Sequence, residues 1–379
     1  MRPSSSLFDA VLARGPVPAL VSDEAWLAAL LTVEASLARV QAQAGLIPVA
    51  AADAIEAVGA DRFDLATLGL AAAESGNPVV PLVAALRDAV GPAAAEHVHA
   101  GTTSQDILDS AAMLLAHRAL AAVLADLAGA ASAAARLARE HRDTAMAGRT
   151  LLQQAVPVTF GLLAAGWLTG LTAAAGRLTE VRDTRLAVQL GGPAGTLAGL
   201  APDLPARLAT ALGLAAPVLP WHTDRTRIGD LAGALGTAAG AVGKVARDVT
   251  LLAQTEVGEV AEGRPGGSSA MPHKRNPVAA VSALAGAAQA PGLVATLLAA
   301  MPQELQRAAG GWHAEWRPLR ELLTATGSAA AWLHDCLENL VVHPDRMRAN
   351  LSPGPVDTGL AAELVDAALA ATPGAGETS

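Results

Sequence analysis

The sequence contains no tyrosine, and aromatic residues make up only 2% of its 379 positions. Alanine and leucine dominate instead, a balance that favours helix and disfavours sheet. Basic residues are outnumbered, giving a formal net charge of -9. Nucleic acid and anionic membrane surfaces are therefore excluded as partners. There is one cysteine, Cys336, so no internal disulfide framework exists and a reducing, cytoplasmic setting fits. Cys336 itself reads as a small buried hydrophobe. The opening MRPSSSLFDAVLARG lacks the uninterrupted apolar core of a signal peptide. Two stretches lack charge, Thr150 to Gly176 and Asn276 to Gln303. The first carries Gln153, Gln154 and Pro157, the second Gln289, Pro291 and Pro302, and neither has the flanks of a membrane span. A helix apolar all round in a soluble chain is buried on every side. These stretches predict a multi-helix core shared between subunits.

The chain is organised around GRPGGSSAMPHKRNP, Gly263 to Pro277. Its glycines, prolines and serines cannot sustain a helix, while the sequence on both sides reads as long helices. After Gly266-Gly267 the backbone N–H groups of Ser268 and Ser269 can approach a ligand closely. His273, Lys274 and Arg275 bring positive charge to the same place, so the loop reads as an anion site containing a hydroxyl. The competing reading is a solvated charged linker.

GSSAMPHKRNP resembles the signature loop of the fumarase/aspartase superfamily, which includes C–N lyases, hydratases and cycloisomerases. Two further motifs carry the same resemblance. VHAGTTSQDILD, Val98 to Asp109, places Thr102, Thr103, Ser104 and Asp106 where a loop enters a helix, a setting that favours anions. Read alone it is an N-cap by Thr103 or Ser104. His97 and His99 alternate as in a metal pair, but no third ligand follows at suitable spacing. By resemblance His99 is a site hydrogen bonder or acid, and His97 is structural. GRTLLQQAVPVTFG, Gly148 to Gly161, resembles the family's GRTHxQxAxPxTxG, which carries Arg149, Thr150 and Gln153 into the site.

The remaining stretches separate the branches. Ser22 to Pro48 reads as helix, capped by Ser22 or Asp23 and stopped at Gly45 and Pro48. It resembles the opening helix of cycloisomerase-like members. Glu74 to Pro78 breaks the helical pattern; Asn77 is either a turn former or a substrate contact, where adenylosuccinate lyases place a histidine. The glycine-rich turn Gln189 to Leu200 lacks a P-loop lysine and reads as close backbone packing. In Trp221 to Gly236, His222, Arg225 and Arg227 are candidate carboxylate binders, unless Asp224 and Asp230 pair with the arginines. Glu304, Arg307, Trp312 and Trp316 resemble the cycloisomerase version of their region, with helix packing the plainer role for both tryptophans. Family lyases carry a histidine where this chain has Leu151, paired with a glutamate where it has Val281. Losing both members of a buried polar pair is self-consistent, whereas losing one strands the other.

The resemblance implies an all-α fold with a long central helical bundle. The boundaries read as an N-terminal helical domain over 1–102, the central bundle and oligomer core over 103–342, and a shortened C-terminal helical segment over 343–379. The last residues, Thr372 to Ser379, are expected to be disordered. It further implies a cytoplasmic homotetramer in which three motif regions from three subunits build each site, a small tricarboxylate substrate, and no metal or organic cofactor. The implied reaction is intramolecular addition of a carboxylate to a conjugated double bond. In it Ser268 carries the proton, and Lys274, Asn276 and the N–H groups of Ser268 and Ser269 stabilise the carbanion. Met271 completes the loop's binding residues. A C–N lyase of the adenylosuccinate type and a non-enzymatic relative are the alternatives.

Overall fold

A computed structural model describes residues 7–372. The fold is helical, as the alanine- and leucine-rich composition predicts. The first long helix, α1 (Asp23–Gln43), is capped by the Ser22 hydroxyl, which accepts from the Ala25 N–H at 3.3 Å. Two shorter helices follow, α2 (Leu65–Ser75) and α3 (Val79–Val90). Between them Gly76 takes the left-handed conformation that ends α2. Asn77 Oδ1 accepts from the Val79 N–H at 3.1 Å and so caps α3. The Asn77 side chain thus serves the turn-forming role through its Oδ1.

Five long helices form the bundle: α4 (Ser104–Glu140), α5 (Phe160–Thr184), α6 (Thr226–Leu252), α7 (Val278–Ala299) and α8 (Gly311–Glu338). Each packs on its neighbour in sequence, and α8 closes back onto α4. Small residues let these helices approach closely. A Cβ on Gly286 of α7 would lie 3.0 Å from the Ala325 carbonyl of α8. One apolar core fills the bundle, around Phe160, Trp167, Leu235 and Leu333. A second lies beside the first half of α4 and joins α1 and α3 to residues 188–212 and to Trp312. A final helix, α9 (Ala361–Ala370), lies against α5. Of the tail expected to be disordered, all but Thr372 lies outside the described residues.

Two small antiparallel sheets break the helical pattern. β1 (Ala145–Thr150) pairs with β2 (Gln153–Thr159) as a hairpin at the end of α4. β3 (Val260–Glu262) pairs with β4 (Leu340–Val342) beside the end of α8. The composition gave no hint of either. Among the described residues, two helices are long and apolar enough to cross a membrane, α4 and α7. The apolar window of α4 is 72% buried inside the chain, as a core helix should be, but that of α7 is only 39% buried.

Candidate active site

The TTSQD motif starts α4. Thr103 is the N-cap, and its N–H donates to Asp106 Oδ2 at 3.1 Å, closing a capping box. Asp106 does more than cap. Its carboxylate accepts from the N–H groups of Gly191 at 3.0 Å and Gly192 at 2.8 Å, and lies 2.7 Å from His222 Nε2. The glycine-rich turn is thus drawn onto the start of α4. Gly192 has φ +73°, and a Cβ there would sit 2.9 Å from the Gly101 carbonyl. Both the conformation and the space require glycine. The plain reading of this turn as close packing is the one the geometry supports.

Deeper along α4 lies a buried ion cluster. Arg225 donates from Nη1 to Asp109 Oδ2 at 2.7 Å and from Nε to Glu315 Oε1 at 3.0 Å. Trp312 Nε1 and Gln105 Nε2 donate to Asp109 as well, at 3.0 and 3.1 Å. Burial disfavours a charged guanidinium, but Asp109 and Glu315 outweigh it and hold Arg225 protonated. Burial pushes the Glu315 carboxyl up, against the pull of Arg225. Arg225 as a substrate binder is therefore corrected: its donors are spent on two carboxylates of the protein, out of reach of solvent. Arg227 is half-buried and donates to the Arg185 carbonyl at 2.9 Å. His222, being bound to Asp106, belongs to the same framework. The sequence offered Asp224 and Asp230 as the partners of these arginines and missed Asp109 and Glu315, which stand 116 and 90 residues from Arg225.

Two residues at this end were not assigned roles from sequence. Arg307 reaches Gln105 Oε1 at 2.9 Å and the Pro193 carbonyl at 3.0 Å, which sets a cation beside the motif loop. Glu34 of α1 is buried and meets His99 Nδ1 at 2.6 Å.

At the opposite end of the bundle stands the signature loop. Its neck is a two-way backbone bridge between Gly266 and Asn276, each N–H donating at 2.9 Å. Below the neck, Glu262 caps α7 by accepting from the N–H groups of Ala279 at 3.1 Å and Ala280 at 2.8 Å. A carboxylate there also complements the helix dipole. Cys336, buried as expected, points its sulfur at Glu262 Oε1, 3.6 Å away. Burial and Glu262 push that thiol up, so it stays protonated. Above the neck, Ser268 Oγ accepts from the N–H groups of Ala270 at 3.3 Å and Met271 at 3.2 Å. Two donors aimed at Oγ favour negative charge there, as a proton-carrying serine requires. The N–H groups of Ser268 and Ser269 have no partner among the described residues. Lys274, His273 and Arg275 are exposed and take part in no ion pair among them. The Asn276 amide donates to the Gly267 carbonyl at 2.9 Å, so part of its capacity shapes the loop.

The GRT motif forms the β1–β2 hairpin. Arg149 is bound bidentately to buried Glu259, at 2.9 and 2.7 Å, and Asn350 braces the same carboxylate. Arg149 thereby anchors the hairpin to the strand that leads into the signature loop. Thr150 and Gln153 pair across the turn, at an exposed tip. Between them Leu151 and Leu152 have φ +51° and +64°. Positive φ at both central residues is the habit of a tight hairpin turn that normally takes Asn-Gly. Here two leucines adopt it while 97% and 69% exposed. Val281, on α7, is 52% exposed.

The three motifs do not meet within one chain. The 37 residues of α4 make it about 55 Å long at 1.5 Å per residue. His99, Thr103 and Ser104 lie at its start. The hairpin follows its other end, where Arg136 also reaches the carbonyls of Leu337 and Glu338, next to the Asn339 that holds Gly263. An apolar cavity of about 310 Å³ between α1, α2 and α8, lined by Trp26, Leu68 and Trp316, contains none of the candidate catalytic residues. Among the described residues no group of three His, Cys, Asp or Glu side chains is placed to hold a metal ion.

Comparison with known proteins gives these arrangements a context. Residues 4–292 match the family model described as "Lyase". The chain is 51% identical over 366 residues to a nitrosuccinate lyase of Streptomyces davaonensis, covering 92% of this chain and 77% of that one. It is 48% identical over 380 residues to a 3-carboxy-cis,cis-muconate cycloisomerase of Pseudomonas aeruginosa, covering 97% and 82%. The crystal structure of the 3-carboxy-cis,cis-muconate lactonizing enzyme from Pseudomonas putida superimposes with a TM-score of 0.86 at 43% identity, covering 91% of this chain and 79% of that one.

Proposed function

The chain belongs to the lyase family of the fumarase/aspartase superfamily, and from that premise we propose that it is a 3-carboxy-cis,cis-muconate cycloisomerase, an enzyme of aromatic-compound catabolism. A substrate carboxylate oxygen adds to the conjugated double bond, and the electron pair moves onto the carbon beside another carboxylate. That carbon then takes a proton, closing 4-carboxymuconolactone. Ser268 delivers the proton. Its acidity comes from the N–H groups on Oγ and from Lys274 and its neighbours. The unpaired N–H groups of Ser268 and Ser269, with Lys274, hold the doubly charged carboxylate as it forms.

The observation that carries this reading is an intact signature loop beside apolar residues at 151 and 281. In the reverse direction the leaving group is a carboxylate, with a reference pKa of about 4, and it departs without a proton. An amine does not, so an adenylosuccinate-type lyase is not favoured. Nitrite does, being the base of a fairly strong acid. The likeness to a nitrosuccinate lyase therefore favours a second reading, loss of nitrite and a proton from a nitro-dicarboxylate. One pair of assays separates them: bleaching of 3-carboxymuconate absorbance against release of nitrite from nitrosuccinate. Faster turnover of nitrosuccinate overturns the first reading.

The active form is a homotetramer with each site built from several chains. Three features support this. One chain keeps its TTSQD motif a helix length from the other two. The α7 face through Val281, Ala288, Gly292 and Ala295 is exposed and uncharged, and such a face needs cover. The leucine tip of the hairpin is bare. The lone buried cysteine fits a cytoplasmic protein.

A further inference from the structure

Glu34 is a buried acid that packing alone does not explain. On α1 it stands among Leu30, Val33 and Leu37, and it is 2% exposed. A carboxylate in such a place needs a partner. Among the described residues that partner is His99, whose Nδ1 lies 2.6 Å from Oε1. Gln41 stands two turns further along the same face of α1, and its Nε2 donates to the Ala100 carbonyl at 2.8 Å. One helix face thus grips the imidazole and the peptide after it. The grip acts on a strained residue, because His99 has φ +63° without being glycine. Four residues later comes Thr103, the cap of α4.

We infer that Glu34 is a positioning residue for His99. It fixes the tautomer with the proton on Nδ1 and leaves Nε2, which has no partner among the described residues, as the free ring nitrogen. Through Nε2 the ring meets a carboxylate of the substrate. A hydrogen bond on one ring nitrogen sets what the other can do. The inference rests on the reading of His99 as a site residue in the proposed reaction.

The test uses Glu34→Gln, His99→Gln and the double variant of the whole chain. Glutamine keeps the length of Glu34 and an oxygen for Nδ1–H, but it also offers the competing NH2. Glu34→Gln should lower kcat about tenfold to hundredfold, the size found for outer partners that orient metal-bound imidazoles, with KM and melting temperature little changed. In the His99→Gln background the same change should cost nothing more. Nitrogen spectra of histidine-labelled protein should show His99 as one tautomer in the parent and as a mixture in Glu34→Gln. Equal losses in both backgrounds, or an unchanged His99 tautomer, overturn the inference. If His99→Gln keeps full kcat, the inference falls while the assigned reaction stands. If the parent turns over neither the muconate nor nitrosuccinate, the reaction assignment falls and the spectra alone decide for or against Glu34.

Discussion

The two ends of the bundle are built on opposite plans. At the start of α4 nearly every polar group has a partner inside the chain. Asp106 binds three N–H groups and His222, and Asp109 and Glu315 divide Arg225 between them. At the start of α7 the polar groups are fully tied only below the neck of the loop. Above it, the Lys274, His273 and Arg275 side chains pair with no acid, and two serine N–H groups have no partner, among the described residues. Satisfied polar groups make a fixed wall, whereas unsatisfied donors wait for an anion. A catalyst needs both, a frame that does not reorganise and donors aimed at charge that develops during reaction. The contrast explains why Arg225 and Lys274, equally good carboxylate binders by residue type, have separate roles.

The comparison is sharpened most by Lys274→Met and Arg225→Met. Lys274→Met should lower kcat about a thousandfold, the scale of one preorganised donor, and leave stability within about 0.5 kcal/mol, because the side chain is exposed and unpaired. Arg225→Met should cost about 3–5 kcal/mol, because two buried carboxylates lose their counterion. Urea unfolding and steady-state kinetics on both variants check the pair. The comparison breaks if Lys274→Met unfolds the protein or Arg225→Met leaves its stability intact. Ser268→Ala follows, with kcat down about 10²–10⁴-fold and an unchanged melting temperature.

A third test joins the ends. Ser268→Ala and His99→Gln disable opposite ends of one chain. If each site combines ends from different chains, mixed tetramers formed after reversible dissociation contain some sites free of both changes. Partial activity should return, and its absence in tetramers shown to be mixed would mean that each site is made within one chain.

Much of this was legible in the sequence, for identifiable reasons. Helices declared themselves through composition and caps: Ser22, Thr103 and Gly76 stand where their backbone geometry requires. The signature loop was legible because glycine, proline and charge cluster in it. What stayed hidden was pairing at long range. Asp109 reads as one more acid on a helix, yet it meets Arg225 across 116 residues. Arg149 sits inside a recognised motif, and nothing near it points to Glu259, 110 residues away. Glu34 is embedded in a run of helix formers and shows its purpose only when α1 folds against His99. The β1–β2 turn was missed for a different reason: Leu-Leu is nearly the last dipeptide that turn chemistry would choose.

That turn supplies the smallest prediction, and its sign depends on where it is measured. In a single chain Leu151 and Leu152 hold positive φ at a bare tip. Left-handed backbone costs a non-glycine residue about 1–2 kcal/mol, and exposed leucine gains no burial in return. Leu151→Asn with Leu152→Gly should therefore stabilise the dissociated chain by about 1–2 kcal/mol. In an assembled enzyme the tip would be covered by another copy, and the same change removes two apolar side chains from that contact. Fully burying a leucine is worth about 1.5–3 kcal/mol, so the loss outweighs the gain and the tetramer should dissociate at higher protein concentration. Activity should fall in parallel at dilution and recover at high concentration. Unfolding measured at low concentration and sedimentation measured across a dilution series separate the two effects. A variant that gains stability without weakening assembly would show that the leucine tip faces water in the working enzyme.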